Sequence, residues 1–520
     1  MTQSAHGRVL SPLLQQGLKF LHAGDPAGAE VLLDTYIARN PDDADGHNIA
    51  AVAKHALGRL PEAIGHLEKA ALLSPREPLF VVNLSSMLAE VKRPADALRI
   101  VDEFLIRMPG QLDALLQRVH LLSRALRFDE AASVARMAVA FHRGEARAHH
   151  ALGLALIKDR KFEGAAQAFA EAVERDPVAV ESWLNRGVAL KELGDLKGAE
   201  DCYRRALALS RQDPIAHNNL ANVVGALGRH DEAAGLYRDA IALDPAYADA
   251  KANLGTALRD AGKMDEALAG LAGAVAAHPG PTGLLNAYGH ALRQAERIDA
   301  AVEILHQAVA IFPGYGEAHN NLGLAYAIKN NFREAKAHLK RAAELKPDSA
   351  IISNNYGALL LRMFLFPEAV VALSNAVARN PEYDEALINL GIAHYMRGEG
   401  PEATAAYRRV LARHPDNTFA RYSLGVALLE DQQLSEAEVE IRRALELDPA
   451  NALALNTLGV LMLEQHFVTD ARKAMLDAAK VNTRSVREKR ERGADAVVSR
   501  LLDEIELRAE VEIAKLSRRI

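Results

Sequence analysis

The sequence has one cysteine, few aromatic residues and no long apolar run. Because Cys202 is alone, a disulfide framework within the chain is excluded. No 18 consecutive residues are apolar, so no membrane span is predicted, and residues 1–9 lack the features of a secretory signal. A net charge of −6 over 520 residues does not favour nucleic-acid binding, which usually needs a basic surface. These absences predict a cytoplasmic protein that neither binds nucleic acid nor inserts into a membrane.

A 34-residue period dominates what the sequence does contain. Thirteen positions follow one another at that spacing without an insertion or deletion, and eleven of them are proline. Alanine lies 12 residues before every one of these sites, and glycine usually lies 24 residues before them. A period this regular predicts one elongated stack of like units. The thirteen sites are Pro41, Pro75, Pro109, Arg143, Pro177, Arg211, Pro245, Pro279, Pro313, Pro347, Pro381, Pro415 and Pro449.

Within each period the apolar spacing is helical. In residues 248–281, Leu254, Leu258, Leu268, Leu271 and Val275 recur mostly at intervals of three or four residues. A glycine between the two apolar stretches suits a left-handed turn after a helix, and the proline stops the second helix. Each period is therefore predicted to be a helical hairpin whose small residues let its two helices approach closely. The turn glycines are Gly24, Gly58, Gly194, Gly228, Gly262 and Gly398.

Numbered from residue 10, every repeat has alanine at place 20, and most have glycine at place 8 and proline at place 32. The tetratricopeptide repeat pattern asks for these residues and for alanine at place 27. Residues 248–281 supply all four, as Gly255, Ala267, Ala274 and Pro279. The chain thus resembles the tetratricopeptide repeat family over residues 10–485, which hold fourteen repeats. The repeats, above all residues 214–247 with Asn218, Asn219 and Asn222, also resemble the superhelical region of O-linked N-acetylglucosamine transferase, without its catalytic domain. The resemblance implies an all-α fold, a right-handed superhelical solenoid.

The two ends fall outside the repeats. We expect residues 1–9 to be an N-terminal extension and residues 486–520 to be a charged linker followed by a helix from about Ala496. That helix has an apolar stripe. It either caps the last repeat or pairs with another chain as a coiled coil, so a homo-oligomer formed through this helix or the end repeats is possible.

Asparagine is frequent where the resemblance implies a ligand groove. In tetratricopeptide proteins the first helix of each repeat lines a concave groove with places 2, 5, 6, 9, 12 and 13. A row of asparagines there could grip the amide groups of an extended peptide, because each carries both donors and an acceptor; the alternative is that asparagine at place 6 only serves packing within the repeats. The predicted peptide-binding residues are Asn83, Asn185, Asn219, Asn222, Asn253, Asn321, Asn355 and Asn389. Further asparagines lie at place 5, namely Asn48, Asn218, Asn286, Asn320, Asn354 and Asn456.

Other candidate sites are weak. The basic residues that a dicarboxylate clamp needs at fixed groove places are missing, which disfavours binding of a chaperone C-terminus. Four histidines share place 4 of separate repeats, so we predict a structural role and no metal site; they are His47, His149, His217 and His319. Cys202 is predicted to be a buried, inert thiol.

Two residues depart from the pattern. Lys54 lies at a usually apolar place. Phe364 lies where glycine is common, and there it either packs locally or contacts a partner.

The sequence predicts a non-catalytic scaffold that binds an extended peptide or protein segment, without a cofactor or metal. Neither a phosphate-binding glycine loop nor a nucleophile elbow is present, so we expect no enzyme activity. Two alternatives stay open. The chain could select substrates for a separately encoded glycosyltransferase or other modifying enzyme, or it could assemble with itself as a structural scaffold.

Overall fold

The computed structural model describes residues 10–491, which form helices joined by short turns. The chain divides into an N-terminal half that ends at Ala261 and a C-terminal half that begins at Gly262. The helices of the N-terminal half are α1 (Pro12–His22), α2 (Pro26–Arg39), α3 (Ala44–Ala56), α4 (Leu60–Leu73), α5 (Pro78–Glu90), α6 (Pro94–Arg107), α7 (Leu112–Arg124), α8 (Phe128–Phe141), α9 (Ala146–Lys158), α10 (Phe162–Arg175), α11 (Val180–Glu192), α12 (Leu196–Leu209), α13 (Pro214–Ala226), α14 (His230–Leu243) and α15 (Ala248–Asp260).

The helices of the C-terminal half are α16 (Met264–Ala277), α17 (Thr282–Gln294), α18 (Ile298–Ile311), α19 (Gly316–Ile328), α20 (Phe332–Leu345), α21 (Ala350–Arg362), α22 (Phe366–Arg379), α23 (Asp384–Tyr395), α24 (Gly400–Arg413), α25 (Thr418–Glu430), α26 (Leu434–Leu447), α27 (Ala452–Glu464) and α28 (Val468–Glu491). Odd-numbered helices are the first helices of their repeats and even-numbered helices are the second. Every second helix from α2 to α26 ends two residues before its proline site, as predicted.

Each half is a stack of helical hairpins. A second helix packs both on its own first helix and on the first helix of the next hairpin, as α10 does on α9 and α11. First helices of neighbouring hairpins also contact each other, as α7 does with α9 and α21 with α23. The prediction of an all-α solenoid built from helix-turn-helix repeats is confirmed.

The turn inside each hairpin depends on one left-handed residue at place 15. The six turn glycines have φ between 74° and 82°, as predicted. At Gly228 this conformation lets the Arg229 N–H donate to the Val224 carbonyl and the Gly228 N–H donate to the Gly225 carbonyl, which closes the end of α13. The same place is left-handed in the other eight hairpins, with φ between 56° and 65°. Those residues are Lys92, Leu126, Arg160, Glu296, Asn330, Phe364, Gln432 and His466.

Small residues at places 8 and 20 bring the two helices of a hairpin together. The place-20 alanines, such as Ala199 and Ala403, are fully buried in all fourteen hairpins. A Cβ added at Gly357 would lie 2.4 Å from Cγ of Leu373, closer than real contacts allow. The predicted close approach is therefore confirmed, and a large residue at place 24 fills the space above the glycine.

In the fourth hairpin the small residue of place 8 and the large residue of place 24 are exchanged. Val119 replaces the glycine at place 8, and Ala135 replaces the large residue at place 24. Both belong to one buried cluster, with Val119 5% exposed and Ala135 fully buried. Because total side-chain volume is nearly kept, the hairpin tolerates valine where others need glycine.

Lys54 is accommodated by an ion network. Its side chain is only 5% exposed, and Nζ lies 2.6 Å from Glu30, 3.0 Å from Asp34 and 3.7 Å from Glu62. Arg59 also pairs with Glu30 and Glu62, so α2, α3 and α4 are joined by charges. Three carboxylates compensate for burying the lysine at a place that is usually apolar.

The C-terminal end differs from the expectation. The helix α28 continues to Glu491, so residues 486–491, predicted to be part of a linker, are helical. This stretch is rich in arginine, lysine and glutamate, which favour helix, and has neither glycine nor proline. The extension 1–9 and the helix expected from Ala496 lie outside the described residues.

We predict opposite effects of the same substitution at two glycines of the seventh hairpin. Gly228→Ala should lower the free energy of unfolding by about 1 kcal/mol, because alanine resists the left-handed region. Gly235→Ala should raise it by about 0.5–1 kcal/mol, because Gly235 lies inside α14. Added Cβ atoms meet open space at both positions, so only backbone conformation differs. Urea unfolding, with hydrogen exchange of α13 and α14 to localise the change, measures both; shifts of equal sign would contradict this account.

The size exchange in the fourth hairpin predicts a rescue. Val119→Gly should cost about 2–3 kcal/mol through a cavity and a helical glycine, and Ala135→Leu about 1–3 kcal/mol through overpacking. The double variant should recover at least about 1 kcal/mol of the summed loss, since it recreates the common pair. Leucine at Ala138, another fully buried alanine of α8, is the control and should not rescue Val119→Gly. Additive losses in urea unfolding would refute the exchange.

Candidate peptide-binding face

The first helices present places 2, 5, 6, 9 and 13 of their repeats on one side, which we call the first-helix face. Residues at this spacing share one side of an α-helix. The eight predicted binding asparagines lie on it, at place 6 except for Asn222 at place 9. All are half-buried except Asn321, which is 8% exposed. They are Asn83 on α5, Asn185 on α11, Asn219 and Asn222 on α13, Asn253 on α15, Asn321 on α19, Asn355 on α21 and Asn389 on α23.

Five of these side chains are hydrogen-bonded to an asparagine of the preceding repeat. In each case Nδ2 of the place-6 asparagine donates to Oδ1 of the place-5 asparagine 35 residues earlier. The pairs are Asn83–Asn48 (2.8 Å), Asn253–Asn218 (3.1 Å), Asn321–Asn286 (2.9 Å), Asn355–Asn320 (3.0 Å) and Asn389–Asn354 (2.9 Å). We call this contact the asparagine clasp. It joins the first helices of neighbouring hairpins.

Five of the place-5 asparagines are the acceptors of the clasp, a contact that the sequence analysis did not predict. The signal was nevertheless present. Each place-5 asparagine is followed 35 residues later by a place-6 asparagine, except Asn456 in the last repeat. An offset one residue longer than the period is the mark of a contact between neighbouring repeats.

The other three predicted binding residues have different surroundings. Oδ1 of Asn222 accepts from Oη of Tyr237 (2.6 Å) and from Nδ2 of Asn253 (3.3 Å). For Asn219 the preceding repeat has Leu184 at place 5, and for Asn185 it has His150. The structure therefore divides the predicted row into clasped and unclasped amides.

The clasp does not use all the hydrogen-bonding groups of the place-6 asparagine. A side-chain amide has two N–H donors and a carbonyl oxygen, and the clasp uses one donor of each place-6 asparagine. The second N–H and the oxygen match the acceptor and donor of a peptide group. The clasp also restricts rotation of the amide, which fixes the direction of the remaining groups.

The place-4 histidines serve the turns between hairpins. Their Nε2 atoms lie 2.9–3.2 Å from the carbonyl oxygen six residues earlier, which only accepts, so each ring donates. The pairs are His47 with Pro41, His149 with Arg143, His217 with Arg211, and His319 with Pro313. Trp183 and Arg421 donate from the same place to Pro177 and Pro415. The predicted structural role is confirmed.

A cluster of histidines lies in the C-terminal half. Nδ1 of His319 is 2.9 Å from Nδ1 of His338, and His306 is hydrogen-bonded to Oη of Tyr326 at 2.6 Å. Tyr326 stacks on His338 with ring centroids 5.8 Å apart. Burial, together with His319 and His306, lowers the pKa of His338 to about 4. Within residues 10–491, no group of three or more histidine, cysteine or acidic side chains could hold a metal ion.

Cys202 and Phe364 have contrasting environments. Cys202 is buried, and burial raises its pKa to about 11, which keeps the thiol protonated and unreactive near neutral pH. Phe364 is 74% exposed, and its ring meets Phe366 edge-on at 6.1 Å. A contact between Phe364 and a partner stays a prediction.

A cleft of 460 Å³ opens on the first-helix face where Ala151 replaces asparagine at place 6. Its apolar wall is formed by Leu116, Leu154 and Val180. Nδ1 of His150 lies 2.8 Å from Oγ of Ser182 at its side. The gap in the asparagine row therefore has room for a side chain of a bound segment.

Family models identify the repeats. One model of tetratricopeptide repeats matches residues 14–78 and 150–214. A second such model matches residues 226–286 and 292–355. The model of the N-terminal tetratricopeptide repeats of the surface lipoprotein assembly modifier matches residues 367–441. A model described as a class II flagellar assembly regulator matches residues 427–517, of which 492–517 lie outside the described residues. The chain therefore carries tetratricopeptide repeats.

Individual proteins are similar to this chain in part or in fold. The tetratricopeptide repeat-containing protein trd-1 of Caenorhabditis elegans is 36% identical over 76 residues, which cover 15% of this chain and a tenth of that protein. A chain in the crystal structure of the APC/C hetero-tetramer Cut9-Hcn1 has a TM-score of 0.56 and 15% identity, over 96% of both chains. That likeness shows the fold alone. A particular likeness to the glycosyltransferase repeats stays a prediction.

Proteins built from such repeats generally mediate protein–protein interactions and are typically non-catalytic. Among the helices of residues 10–491, none has the length and apolar character needed to cross a membrane. The cytoplasmic location stays a prediction.

The histidine cluster predicts a pH dependence of stability. His338 titrates near 4 when folded and near 6.5 when unfolded, so the unfolded chain binds more protons between these values. The free energy of unfolding should therefore fall as pH drops from 6.5 towards 4, with about 1–2 kcal/mol due to His338. The groups facing it are His306, His319, Tyr326 and Glu334. Urea unfolding at pH 7.5 and 5 measures the fall, and His338→Gln should make it smaller; an unchanged fall would contradict this assignment.

Proposed function

We propose that this chain is a non-catalytic scaffold that binds an extended peptide or protein segment along its first-helix face. The observation that carries the proposal is the row of clasped asparagines. Each clasped amide keeps its acceptor, and all except Asn253, whose Nδ2 also donates to Asn222, keep one donor. In the C-terminal half the clasp recurs in three successive hairpins. An extended segment presents its own peptide groups at regular spacing, so a regular row of amides can bind them without reading side chains.

The C-terminal half has the longest uninterrupted run of clasped asparagines. Asn321, Asn355 and Asn389 lie at place 6 of three consecutive hairpins, and all three are clasped. In the N-terminal half the clasped Asn83 and Asn253 are separated by repeats with other residues at this place or unclasped amides. The run from α19 to α23 is therefore the part that we assign to binding of the ligand backbone.

Binding through such a row is shared among many weak contacts. One hydrogen bond contributes about 0.5–1.5 kcal/mol net, which corresponds to roughly a fivefold change in affinity. Loss of one amide should therefore weaken binding modestly, and loss of three should weaken it by about a hundredfold. Abolition of binding by one alanine substitution would contradict distributed recognition.

The experiment compares two triple variants on the full chain. The first is Asn321→Ala, Asn355→Ala and Asn389→Ala, which removes the place-6 amides. The comparison variant is Asn286→Ala, Asn320→Ala and Asn354→Ala, which removes the same three hydrogen bonds from the other side. It leaves the place-6 amides present but unclasped, so it should weaken binding less than the first variant. This second variant should lower the free energy of unfolding at least as much as the first, since Asn354 also donates to Tyr383 and Glu385.

Partners are captured from lysate of the source cell with wild type and both variants, after circular dichroism shows equal helicity and melting. A protein that the place-6 variant loses and the place-5 variant keeps would assign its binding to the ladder amides. Equal recovery by all three proteins would refute the proposal and leave the asparagines a role in packing between repeats.

The alternatives of a substrate-selecting subunit and of a self-assembling scaffold stay predictions from the sequence. Both are compatible with a binding role of the first-helix face. Neither gains support from a particular contact among the described residues.

A further inference from the structure

An apolar surface continues the first-helix face beyond the last clasped amide. Met396 at the end of α23, Phe419 on α25, and Leu453 and Val460 on α27 are 46%, 50%, 60% and 43% exposed. With the half-buried Val426, they form what we call the C-terminal patch. They lie at places 2, 9 and 13, so they point to the same side as the asparagines. Adjacent exposed apolar side chains of this size commonly mark an interaction site.

Acidic residues outnumber basic ones on the first helices that carry the C-terminal patch. Between them, α23, α25 and α27 carry Asp384, Glu385, Glu430 and Glu464 but a single basic residue, Arg421. Asp384 is paired with Arg413 of α24. Arg421 is already paired within the chain, since it donates to Glu440 at 2.6 Å and to the Pro415 carbonyl at 2.7 Å.

Two exposed glutamates at place 13 define one edge of the patch. Glu430 and Glu464 both lie at place 13 and are exposed. Glu430 accepts a hydrogen bond from Oη of Tyr395, which leaves its negative charge in place. A ligand that covers the apolar residues therefore meets carboxylates at the C-terminal ends of these helices.

We propose that the C-terminal patch binds a segment of a partner that carries both apolar and basic side chains. This rests on the proposed function, because the patch extends the same binding row by two hairpins. Apolar side chains of the segment cover Phe419 and Leu453, and its lysine or arginine side chains pair with Glu430 and Glu464. Recognition here adds side-chain selectivity to the backbone contacts of the asparagine run.

The spacing of the hairpins suggests the pattern of the segment. Packed helices are about 8–10 Å apart, and three residues of a polyproline II strand span about 9 Å. An apolar residue at every third position would therefore meet successive first helices. A 12-residue segment of this form is long enough to reach across about four hairpins.

The test uses designed peptides and the full chain. Three fluorescein-labelled 12-residue peptides repeat Leu-Lys-Ser, Leu-Glu-Ser or Ser-Lys-Ser, and binding is measured by fluorescence anisotropy at two salt concentrations. We expect the Leu-Lys-Ser peptide to bind at least tenfold more tightly than either other peptide, and more weakly at high salt. Equal affinity for the Leu-Glu-Ser peptide would overturn the proposed charge preference, and equal affinity for the Ser-Lys-Ser peptide would overturn the apolar one.

Variants localise the binding. The pair Phe419→Ser and Leu453→Ser should weaken binding of the Leu-Lys-Ser peptide at least fivefold. The matched control is Val371→Ser and Val439→Ser, two valines that are each 63% exposed on the second helices α22 and α26, and it should change affinity less than twofold. Glu430→Gln with Glu464→Gln should weaken binding and reduce its dependence on salt. Unchanged affinity of the Phe419/Leu453 variant overturns the proposal.

Two further measurements distinguish binding of a partner at the patch from binding at the asparagine row and from an intramolecular contact. If replacing Asn321, Asn355 and Asn389 leaves affinity unchanged while the Phe419/Leu453 variant loses it, the asparagine row fails and the patch stands. The reverse result keeps the row and refutes the patch. If the peptide binds only after residues 492–520 are deleted, the patch belongs to the chain's own C-terminal segment, which also overturns a partner as the occupant.

Discussion

The close approach of the two helices in each hairpin is the constraint on which the other contacts depend. A Cβ added at Gly289 would lie 2.5 Å from Cγ of Leu305, and one at Gly391 would lie 2.6 Å from Cε1 of Tyr407. Because the two helices pack this closely in successive hairpins, the hairpins resemble one another in how they place their first helix. A residue type that recurs at one place of the repeat then becomes a regular row of like groups.

Polar contacts follow the same regularity. The clasp recurs at an offset of 35 residues, and the turn contact of place 4 recurs at an offset of six. A pair of histidine rings recurs at an offset of 19, with Nδ1 atoms 2.9 Å apart for His47 with His66 and for His319 with His338. Because Nε2 of His47 donates to a carbonyl, its Nδ1 accepts in the neutral state and His66 donates. Each of these contacts recurs because the 34-residue period is unbroken and brings the same residue types together in several repeats.

The sequence predicted what depends on one repeat and missed what depends on two. Helix ends, the buried alanines and the turn glycines follow from residue type and spacing within 34 residues. The left-handed conformation of Phe364 was missed because the turn imposes it whatever the side chain. The partners of Lys54 were missed because they come from neighbouring helices. The clasp was missed because it joins residues 35 apart, whereas the period relates residues 34 apart.

The clasp changes what an asparagine row can do. An unclasped side chain such as Asn185 or Asn219 must give up rotamer freedom when it binds, and that loss opposes binding. A clasped side chain has already lost that freedom on folding, so more of its hydrogen-bond energy with a ligand appears as affinity. The proposed binding row is therefore uneven: its amides are best prepared in α19, α21 and α23, where three consecutive clasps occur. The C-terminal patch begins at the end of that run, where place 6 holds Ser423 and Thr457 and exposed apolar side chains lie at places 2 and 9. Backbone contacts and side-chain selectivity would then occupy adjoining stretches of one surface.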